Sequence, residues 1–286
     1  MEKLRDLIRG GELVVAPLVL NPIMARMAAA AGFKAGYLSG GSLGWYKCVT
    51  EANITLPEMA QVCVDMRAAS GLPIVLDAGA GWGDPVHMHR TIALTQSAGF
   101  AAIEIEDQVL PRRVEHHLGN EHLVPTEFMV ERVKEAVAAR TDPNLVIIAR
   151  SNAVRPYGID DALRRGEAFH KAGADMLFIW SRNAEELRKI GERLPPPLMM
   201  FAPPDGFNGF PLSPAELAKL GYRLAASSGS AFAAMMKAVR QNYEALARSE
   251  IDPLLGRGGV EPEMKAAQRI TGLEALVAIE KRTMKD

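Results

Sequence analysis

The sequence has few of the features that mark extracellular, membrane or nucleic-acid-binding proteins. Only 2 of its 286 residues are cysteine, too few for a disulfide framework or a cysteine-based zinc site. The formal net charge of -1 gives no electrostatic reason to bind nucleic acid or an anionic membrane. Its apolar runs are too short to cross a bilayer, and its first residues lack the apolar core of a signal peptide. We therefore expect a cytoplasmic protein that acts on small molecules.

What the sequence does contain is a recurring unit of apolar run, polar loop, amphipathic segment and glycine. Hydrophobic residues make up 48% of the chain, enough for a large core. Eight apolar runs alternating with helices predict an α/β fold, a (β/α)8 TIM barrel, and an open doubly wound sheet is the alternative. The predicted strands are Glu12–Ala16, Ala35–Ser39, Ile74–Asp77, Ala102–Glu106, Leu145–Arg150, Asp175–Ile179, Leu198–Phe201 and Leu224–Ala226.

More helix follows the eighth predicted strand than one barrel needs. The extra segments are Phe232–Ser249, Glu261–Thr271 and Leu273–Lys285, with a Gly/Pro-rich stretch after the first. We predict a single domain over residues 1–286, in which residues 250–286 form a C-terminal helical appendage. Such an appendage often reaches a neighbouring subunit, which predicts an oligomer, although terminal helices can equally dock on their own barrel.

Charged residues stand where several of the predicted strands end. Asp77 closes the third strand, Glu104 and Glu106 lie on the fourth, and Arg150 closes the fifth. The carboxyl ends of parallel strands meet at one rim, so these groups should form one site. Carboxylates suit a hard cation such as magnesium, whereas an arginine and the backbone amides of Ser39–Gly41 suit a carboxylate substrate. Together they favour a small α-keto or α-hydroxy acid that reacts through an enolate.

Two other motifs have competing interpretations. The glycines Gly79, Gly81 and Gly83 follow a strand, but the third glycine of a dinucleotide-binding fingerprint would stand at Asp84, so we expect no organic cofactor. The acidic and histidine-rich segment Glu115–His122 could hold zinc, but its spacing matches no helical metal motif. A mobile lid with a catalytic or substrate-contacting histidine and a plainly solvated loop are the other interpretations.

Several motifs of the chain are recognisable as a set. Over nearly its whole length the chain resembles the isocitrate lyase/phosphoenolpyruvate mutase superfamily, whose members include methylisocitrate lyase, oxaloacetate decarboxylase and carboxyphosphonoenolpyruvate phosphonomutase. The resemblance implies a barrel whose last helix is swapped between subunits, a tetramer built as a dimer of dimers, and a Mg2+ site in which Mn2+ is possible. The motifs are Tyr37–Gly41, Leu76–Gly83, Ile105–Gln108, Ala149–Ala153 and Ala172–Asp175.

The resemblance also implies roles for individual residues. Asp77 looks like the direct metal ligand, Glu106 like a water-mediated one and Glu51 like a further acid of the metal shell. Arg150 looks like the clamp on the substrate carboxylate, and with Asp77 and the lid residue His116 it makes up the expected catalytic set. The residues expected to bind the pyruvyl core or shape the pocket are Tyr37, Ser39, Gly40, Gly41, Trp82 and Arg113.

The chain departs from the superfamily pattern at two positions. Gly79 stands where the second acid of an Asp-x-Asp pair is usual, which should weaken magnesium or alter its water shell. Val114 stands where the lyases carry a cysteine and phosphonate enzymes tend to carry an asparagine, and this is similar to the oxaloacetate decarboxylase branch. We therefore predict a Mg-dependent lyase or decarboxylase that cleaves a carbon-carbon bond of oxaloacetate or a substituted malate through a pyruvate enolate. The alternatives are a phosphonate enzyme (a phosphonomutase or phosphonopyruvate hydrolase) and a non-catalytic or metal-free α-keto acid binder.

Overall fold

The first part of the chain forms an eight-stranded parallel sheet with helices around it. A computed structural model describes residues 3–284. The strands are hydrogen-bonded in the order β1-β8-β7-β6-β5-β4-β3-β2. Just after β1, a parallel bridge between Leu18 and Tyr37 brings the two ends of the sheet together. The strands are β1 Val14–Pro17, β2 Gly36–Leu38, β3 Ile74–Asp77, β4 Ala102–Glu106, β5 Val146–Ser151, β6 Met176–Ile179, β7 Leu198–Phe201 and β8 Tyr222–Ser227.

Helices follow the strands in sequence. Residues 3–284 contain the α-helices α1 Leu4–Arg9, α2 Pro22–Ala30, α3 Gly40–Tyr46, α4 Leu56–Ala69, α5 Met88–Ala98, α6 Thr126–Ala139, α7 Val154–Tyr157, α8 Ile159–Lys171, α9 Ala184–Arg193, α10 Pro214–Lys219, α11 Ser230–Ala247, α12 Val260–Thr271 and α13 Leu273–Thr283. Short 3-10 turns occupy Glu51–Asn53, Pro85–His87 and Val114–Leu118. The nearly closed ring of eight strands confirms the predicted (β/α)8 barrel.

The barrel interior is filled by side chains from all eight strands, among them Val75, Ile148 and Phe178. The strands are buried on both faces because helices cover them from outside, which explains their nearly unbroken apolar sequence. Helix α1 contributes to the same core cluster through Leu4 and Leu7. The amino ends of the strands are therefore packed, and the opposite rim is left for chemistry.

Glycines end several helices just before a strand, as the sequence predicts. Gly99 is the C-cap of α5, with a φ of 82°, and its amide donates to the carbonyl of Gln96. Gly32 and Gly173 follow α2 and α8 with φ values of 88° and 102°. This left-handed conformation suits glycine because a Cβ there is strained.

Residues 230–286 form a second compact unit, separate from residues 1–229. Within it, Asp252 ties down the segment between α11 and α12: one carboxylate oxygen accepts from the Asn242 amide nitrogen and the other from the backbone amides of Leu254 and Leu255. The assignment of residues 250–286 as the appendage of one domain stays a prediction. None of the helices in residues 3–284 has the length and apolar character that a membrane crossing requires.

Candidate active site

Three buried side chains from β2 and β4 converge with Arg150 of β5, whose side chain is 12% exposed. Tyr37 on β2 donates its hydroxyl hydrogen to Oε2 of Glu104 on β4, over 3.0 Å. Arg150 on β5 donates from Nη1 to Oε1 of the same glutamate, over 2.7 Å. Glu106 is two residues further along β4 and faces the same interior, with its Oε2 3.4 Å from Nε of Arg150. The strands thus bring together two carboxylates, a phenol and a guanidinium.

Arg150 is fixed from several sides. Its Nε donates to Oδ1 of Asn152 over 3.0 Å, and Asn152 in turn donates from Nδ2 to Oε2 of Glu106 over 2.6 Å. The guanidinium carbon lies 5.0 and 5.1 Å from the ring centroids of Phe178 and Phe201. A planar cation held by such a framework is suited to a planar anion such as a carboxylate or an enolate.

Asp77 closes β3 and is 6% exposed. One carboxylate oxygen accepts from the backbone amide of Gly40 over 3.1 Å, and the other accepts from the amide of Gly79 over 3.2 Å. Ser39 caps α3, with its Oγ accepting from the amide of Ser42. Asp77 therefore lies against the Ser39–Gly41 segment, and its two backbone donors hold it toward the site.

The neighbouring acid Asp107 belongs to a different network. Its carboxylate accepts from Oγ of Ser151 over 2.7 Å, from the amide of Asn152 over 3.1 Å and from Nη1 of Arg165 over 3.2 Å. These contacts anchor the chain that leaves β5. Asp107 thereby orients Asn152, which holds Arg150 and Glu106.

A loop over residues 108–123 covers the rim. Gln108 and Leu123 pair as an antiparallel bridge at its base. In the 3-10 turn, Nε2 of His116 lies 3.2 Å from Oε2 of Glu51. His117 packs between Trp45 and His116, with ring centroids 5.4 and 3.9 Å away. The loop therefore has the position of a lid, and it brings His116 to the acid that follows α3.

The acidic and histidine-rich segment does not form one cluster. Glu115 pairs with His122 at 3.1 Å near the surface, whereas Glu121 faces Arg155 and the Gln108 side chain. His116 and His117 turn away from these residues toward Glu51. The structure thus separates the five residues that the sequence grouped.

The lid brings Arg112 into the site rather than Arg113. Arg112 is almost fully buried and pairs with two acids: its Nη2 lies 3.1 Å from Oε1 of Glu51, and its Nη1 donates to Oε1 of Glu106. Arg113, which the sequence placed in the substrate pocket, is exposed. Two consecutive arginines in a loop carry no periodic signal that would choose between them, so only the fold reveals which one turns inward.

The acids predicted to hold magnesium do lie close together. Asp77, Glu51 and Glu106 supply carboxylate oxygens, the donors that a hard cation prefers. The guanidinium of Arg112 already pairs with the second and third of these residues. The arrangement therefore does not fit a divalent cation between them. Glu51, His116 and His117 form another group whose ligand atoms lie within 4.8 Å of one another.

A cavity of about 350 Å³ opens beside these acids. One wall is polar and carries Asp77, Glu51 and Arg112. Trp82 holds part of the other wall in place, because its Nε1 donates to the carbonyl of Ile54 over 2.8 Å. The apolar side chains of the cavity are Ile54, Met59, Trp82, Leu110 and Pro111. A small ligand could therefore place charged atoms at one end and an alkyl group at the other.

Burial and neighbouring charges shift the pKa values of the acids in this site. Burial raises the pKa of Glu104 to about 7, although Arg150 opposes this shift. Burial also raises the pKa of Asp77, and the charge of Glu51 adds to the effect. Burial would raise the pKa of Glu51 as well, but Arg112 and His116 outweigh it and lower that pKa to about 2. Glu51 is therefore the firmly ionised acid of the site.

Comparison with known proteins matches most of the chain to one family. Residues 4–247 match the family described as phosphoenolpyruvate phosphomutase. The chain is 36% identical over 225 residues to a 2,3-dimethylmalate lyase from Eubacterium barkeri, covering 78% of this chain and 77% of that protein. It is 32% identical over 246 residues to an oxaloacetate decarboxylase from Paraburkholderia xenovorans, covering 85% and 80%.

Solved structures share the complete fold. A crystal structure of phosphonopyruvate hydrolase in complex with oxalate and Mg2+ has a TM-score of 0.84 at 27% identity, covering 99% of this chain and 98% of that one. A crystal structure of 2,3-dimethylmalate lyase, a member of the PEP mutase/isocitrate lyase superfamily, has a TM-score of 0.82 at 28% identity, covering 98% and 96%. The chain therefore belongs to the phosphoenolpyruvate phosphomutase family and is an enzyme of the PEP mutase/isocitrate lyase superfamily.

Proposed function

We propose that this enzyme cleaves a carbon-carbon bond of a small 2-oxo or 2-hydroxy dicarboxylate, namely oxaloacetate or a substituted malate. The observation that carries the proposal is the buried guanidinium of Arg150, held by Glu104 and Asn152 at the barrel rim. Its position suits a bound carboxylate and the negative charge that develops on an adjacent carbonyl oxygen. The similarity to a 2,3-dimethylmalate lyase and an oxaloacetate decarboxylase supports the same class of reaction.

In the decarboxylation of oxaloacetate, the bond between C3 and C4 breaks, carbon dioxide leaves and the electron pair forms the enolate of pyruvate. Arg150 stabilises that enolate and holds the carboxylate next to it. A proton must then reach C3. Both ring nitrogens of His116 face acceptors, Nδ1 the carbonyl of Arg113 and Nε2 the carboxylate of Glu51, so His116 can supply the proton from Nε2 when this nitrogen exchanges Glu51 for C3 of the enolate.

The lid carries no thiol at the position that the lyases use. Val114 stands there, and its hydrocarbon side chain, 52% exposed, has no proton to give. Loss of carbon dioxide needs no base to start the reaction, whereas cleavage of a malate needs one to remove the hydroxyl proton. This difference favours a decarboxylase, because both ring nitrogens of His116 face acceptors and neither is open to act as that base.

The apolar wall of the cavity indicates which substituent the dicarboxylate substrate carries. Ile54, Met59 and Leu110 surround the space beside the acids. Burial of a methyl group against such a wall stabilises binding by roughly 0.8 kcal/mol. We therefore expect an alkyl-substituted dicarboxylate to bind better than the unsubstituted compound.

Magnesium, with manganese as a possibility, is the cofactor that the sequence predicts and that the phosphonopyruvate hydrolase complex contains. Bound metal would polarise the carbonyl and stabilise the enolate oxygen. The ion pairs of Arg112 with Glu51 and Glu106 occupy the space between these acids where the metal would bind. No step is therefore assigned to a metal.

The experiment is a panel assay. The purified enzyme is given oxaloacetate, malate, 2-methylmalate and 2,3-dimethylmalate, and release of a 2-oxo acid such as pyruvate is followed with and without Mg2+. Turnover of at least one compound, lost in Arg150→Ala, supports the proposal. No turnover across the panel contradicts it.

A phosphonate enzyme is the second candidate, because the fold also matches a phosphoenolpyruvate phosphomutase structure with a TM-score of 0.85 at 27% identity. Phosphorus-31 spectra of phosphonopyruvate and phosphoenolpyruvate separate the two candidates. A new phosphorus signal in the presence of the enzyme favours phosphonate chemistry. Unchanged spectra, together with turnover in the panel, favour the lyase; unchanged spectra with ligand binding but no turnover favour the α-keto acid binder.

We also propose a homo-oligomer, a tetramer built as a dimer of dimers that exchange the last barrel helix. Within the 230–286 unit, Val260 and Met264 on α12 and Leu276 and Ile279 on α13 are exposed in the single chain. Exposed apolar side chains at such helical spacings suit a subunit interface. Sedimentation equilibrium should give about four times the chain mass of 31.0 kDa. A monomer at micromolar concentration contradicts the proposal.

A further inference from the structure

The guanidinium of Arg112 lies among the acids that the sequence predicts for a divalent cation. Its Nη1 donates to Oε1 of Glu106, and its Nη2 lies 3.1 Å from Oε1 of Glu51. The three side chains are at most 10% exposed, so solvent screens these ion pairs little. A cation belonging to the protein itself therefore stands between the two glutamates.

Gly79 makes room for this arrangement. Its φ is +52°, and a Cβ added there would lie 3.0 Å from Nη1 of Arg112 and 3.4 Å from Oε1 of Glu51. An aspartate at this position would direct its side chain into the volume that the guanidinium fills. The missing second acid after β3 and the inward arginine of the lid are therefore complementary: one carboxylate fewer faces the site, and one positive charge more lies in it.

Arg112 and a metal ion cannot hold the same two carboxylates at once. A magnesium ion bound directly to Glu51 and Glu106 would stand about 2.1 Å from their oxygens, in the space of the guanidinium nitrogens, and an ion that reached these acids through water would place its waters in that same space. Two positive groups at such a distance also repel each other strongly in a buried site. Binding of the metal would require Arg112 to leave.

We propose that Arg112 takes the place of the divalent cation in this protein, so that the guanidinium and not a metal ion neutralises Glu51 and Glu106. The Nε of Arg112 is buried without a hydrogen-bond partner among residues 3–284. It is therefore a donor that can serve an oxygen of the bound carboxylate. The part of this proposal that concerns turnover rests on the proposed lyase function, whereas the part that concerns metal binding does not.

The test is a Mn2+ titration followed by electron paramagnetic resonance, on wild type and on Arg112→Gln. Wild type should bind Mn2+ at least about 10-fold more weakly than the variant. The reason is that removal of Arg112 leaves four acids of the site with one arginine fewer to neutralise them. The four are Asp77, Glu51, Glu104 and Glu106. Turnover by wild type should be unchanged in the presence of a chelator.

Two controls locate the effect. Arg140→Gln also removes an arginine that pairs with an acid, Asp175, but at the other end of the barrel, and it should bind Mn2+ like wild type. In the Arg112→Gln background, Glu106→Gln should abolish the gained affinity, and His117→Gln should not. If His117→Gln removes the gained affinity in this background and Glu106→Gln does not, the ion lies at Glu51, His116 and His117, and the proposal is overturned.

Equal Mn2+ affinity in wild type and Arg112→Gln overturns the proposal, as does wild-type turnover that a chelator abolishes and Mg2+ restores. Should Arg112→Gln fail to fold, tight Mn2+ binding by wild type overturns the proposal, and weak binding together with chelator-resistant turnover supports it. A protein that shows the predicted difference in affinity but no turnover in the panel contradicts the lyase function and leaves the role of Arg112 standing.

Discussion

The hydroxyl of Tyr37 donates to Oε2 of Glu104 over 3.0 Å, and the barrel encloses both side chains completely. The other oxygen of Glu104 accepts from Arg150, so one carboxylate connects β2, β4 and β5. This connection supports the arginine that we expect to meet the substrate.

Tyr37→Phe should destabilise the enzyme by about 1–3 kcal/mol, because it leaves a buried carboxylate oxygen without its donor. The aromatic ring and its edge-to-face contact with Phe201 remain in the variant. Urea unfolding at pH 7 measures the effect. Tyr243→Phe, at an exposed tyrosine of α11, serves as the control and should change the free energy of unfolding little. Equal stability of the two variants would show that the hydrogen bond contributes nothing.

Glu104 should make stability depend on pH. Burial raises its pKa from 4.5 to about 7, so the folded protein keeps a proton there that the unfolded chain has already lost. This contribution is complete below pH 4.5 and disappears as pH rises through about 7. Between these two pH values, the free energy of unfolding of Glu104→Gln should fall less than that of wild type, by up to about 3 kcal/mol. Curves of wild type and variant that stay parallel would contradict this, and Glu131→Gln, at an exposed position of α6, provides the reference.

Arg150→Lys should lower kcat/KM about 100-fold, although the positive charge is kept. An ammonium cannot reproduce the planar set of donors that now meets Glu104 and Asn152, and it loses the contacts with Phe178 and Phe201. Steady-state kinetics on the best substrate of the panel measures the change. Arg155→Lys, at a half-exposed arginine over Trp180, is the matched control. Similar kcat/KM in wild type and Arg150→Lys would remove Arg150 from the mechanism.

His116→Gln should lower kcat by about 100-fold or more while KM changes little, because the imidazole transfers a proton and does not hold the substrate. The pH-rate profile should lose the limb that the histidine contributes. His89→Gln removes a histidine that pairs with Glu135 on the helical exterior and should leave kcat unchanged. A variant that keeps both kcat and the limb would mean that another group delivers the proton.

Much of the barrel follows from the sequence because its strands are short, apolar and closed by distinctive residues. Ile74–Asp77 and Ala102–Glu106 have the predicted bounds, since burial on both faces favours apolar residues along these strands. Glu104 is the exception within β4, and its bonds to Tyr37 and Arg150 compensate for its burial. β8 is longer than predicted, because the polar residues Tyr222, Arg223 and Ser227 also belong to it. Tyr222 fits there because its hydroxyl donates to the carbonyl of Leu187.

The site is predictable only where strands build it. Asp77, Glu106 and Arg150 stand at strand ends, whose meeting point follows from the architecture. Arg112 and His117 lie in a loop without periodicity, so the direction of their side chains depends on backbone geometry that no local pattern encodes. Gly79 is nevertheless a sequence signal for the inward orientation of Arg112, since a missing side chain at a charged rim leaves space for a side chain from another segment.

Trp82 gives the cavity an optical reporter. The chain contains three tryptophans, and this one forms part of the cavity wall while its indole nitrogen is fixed on the carbonyl of Ile54. The other two, Trp45 and Trp180, stand outside the cavity lining. With both replaced by phenylalanine, the remaining emission would come from a ring of fixed orientation whose surroundings change when water gives way to a ligand. Occupancy could then be followed in real time and without turnover, for every compound of the panel in the same cuvette.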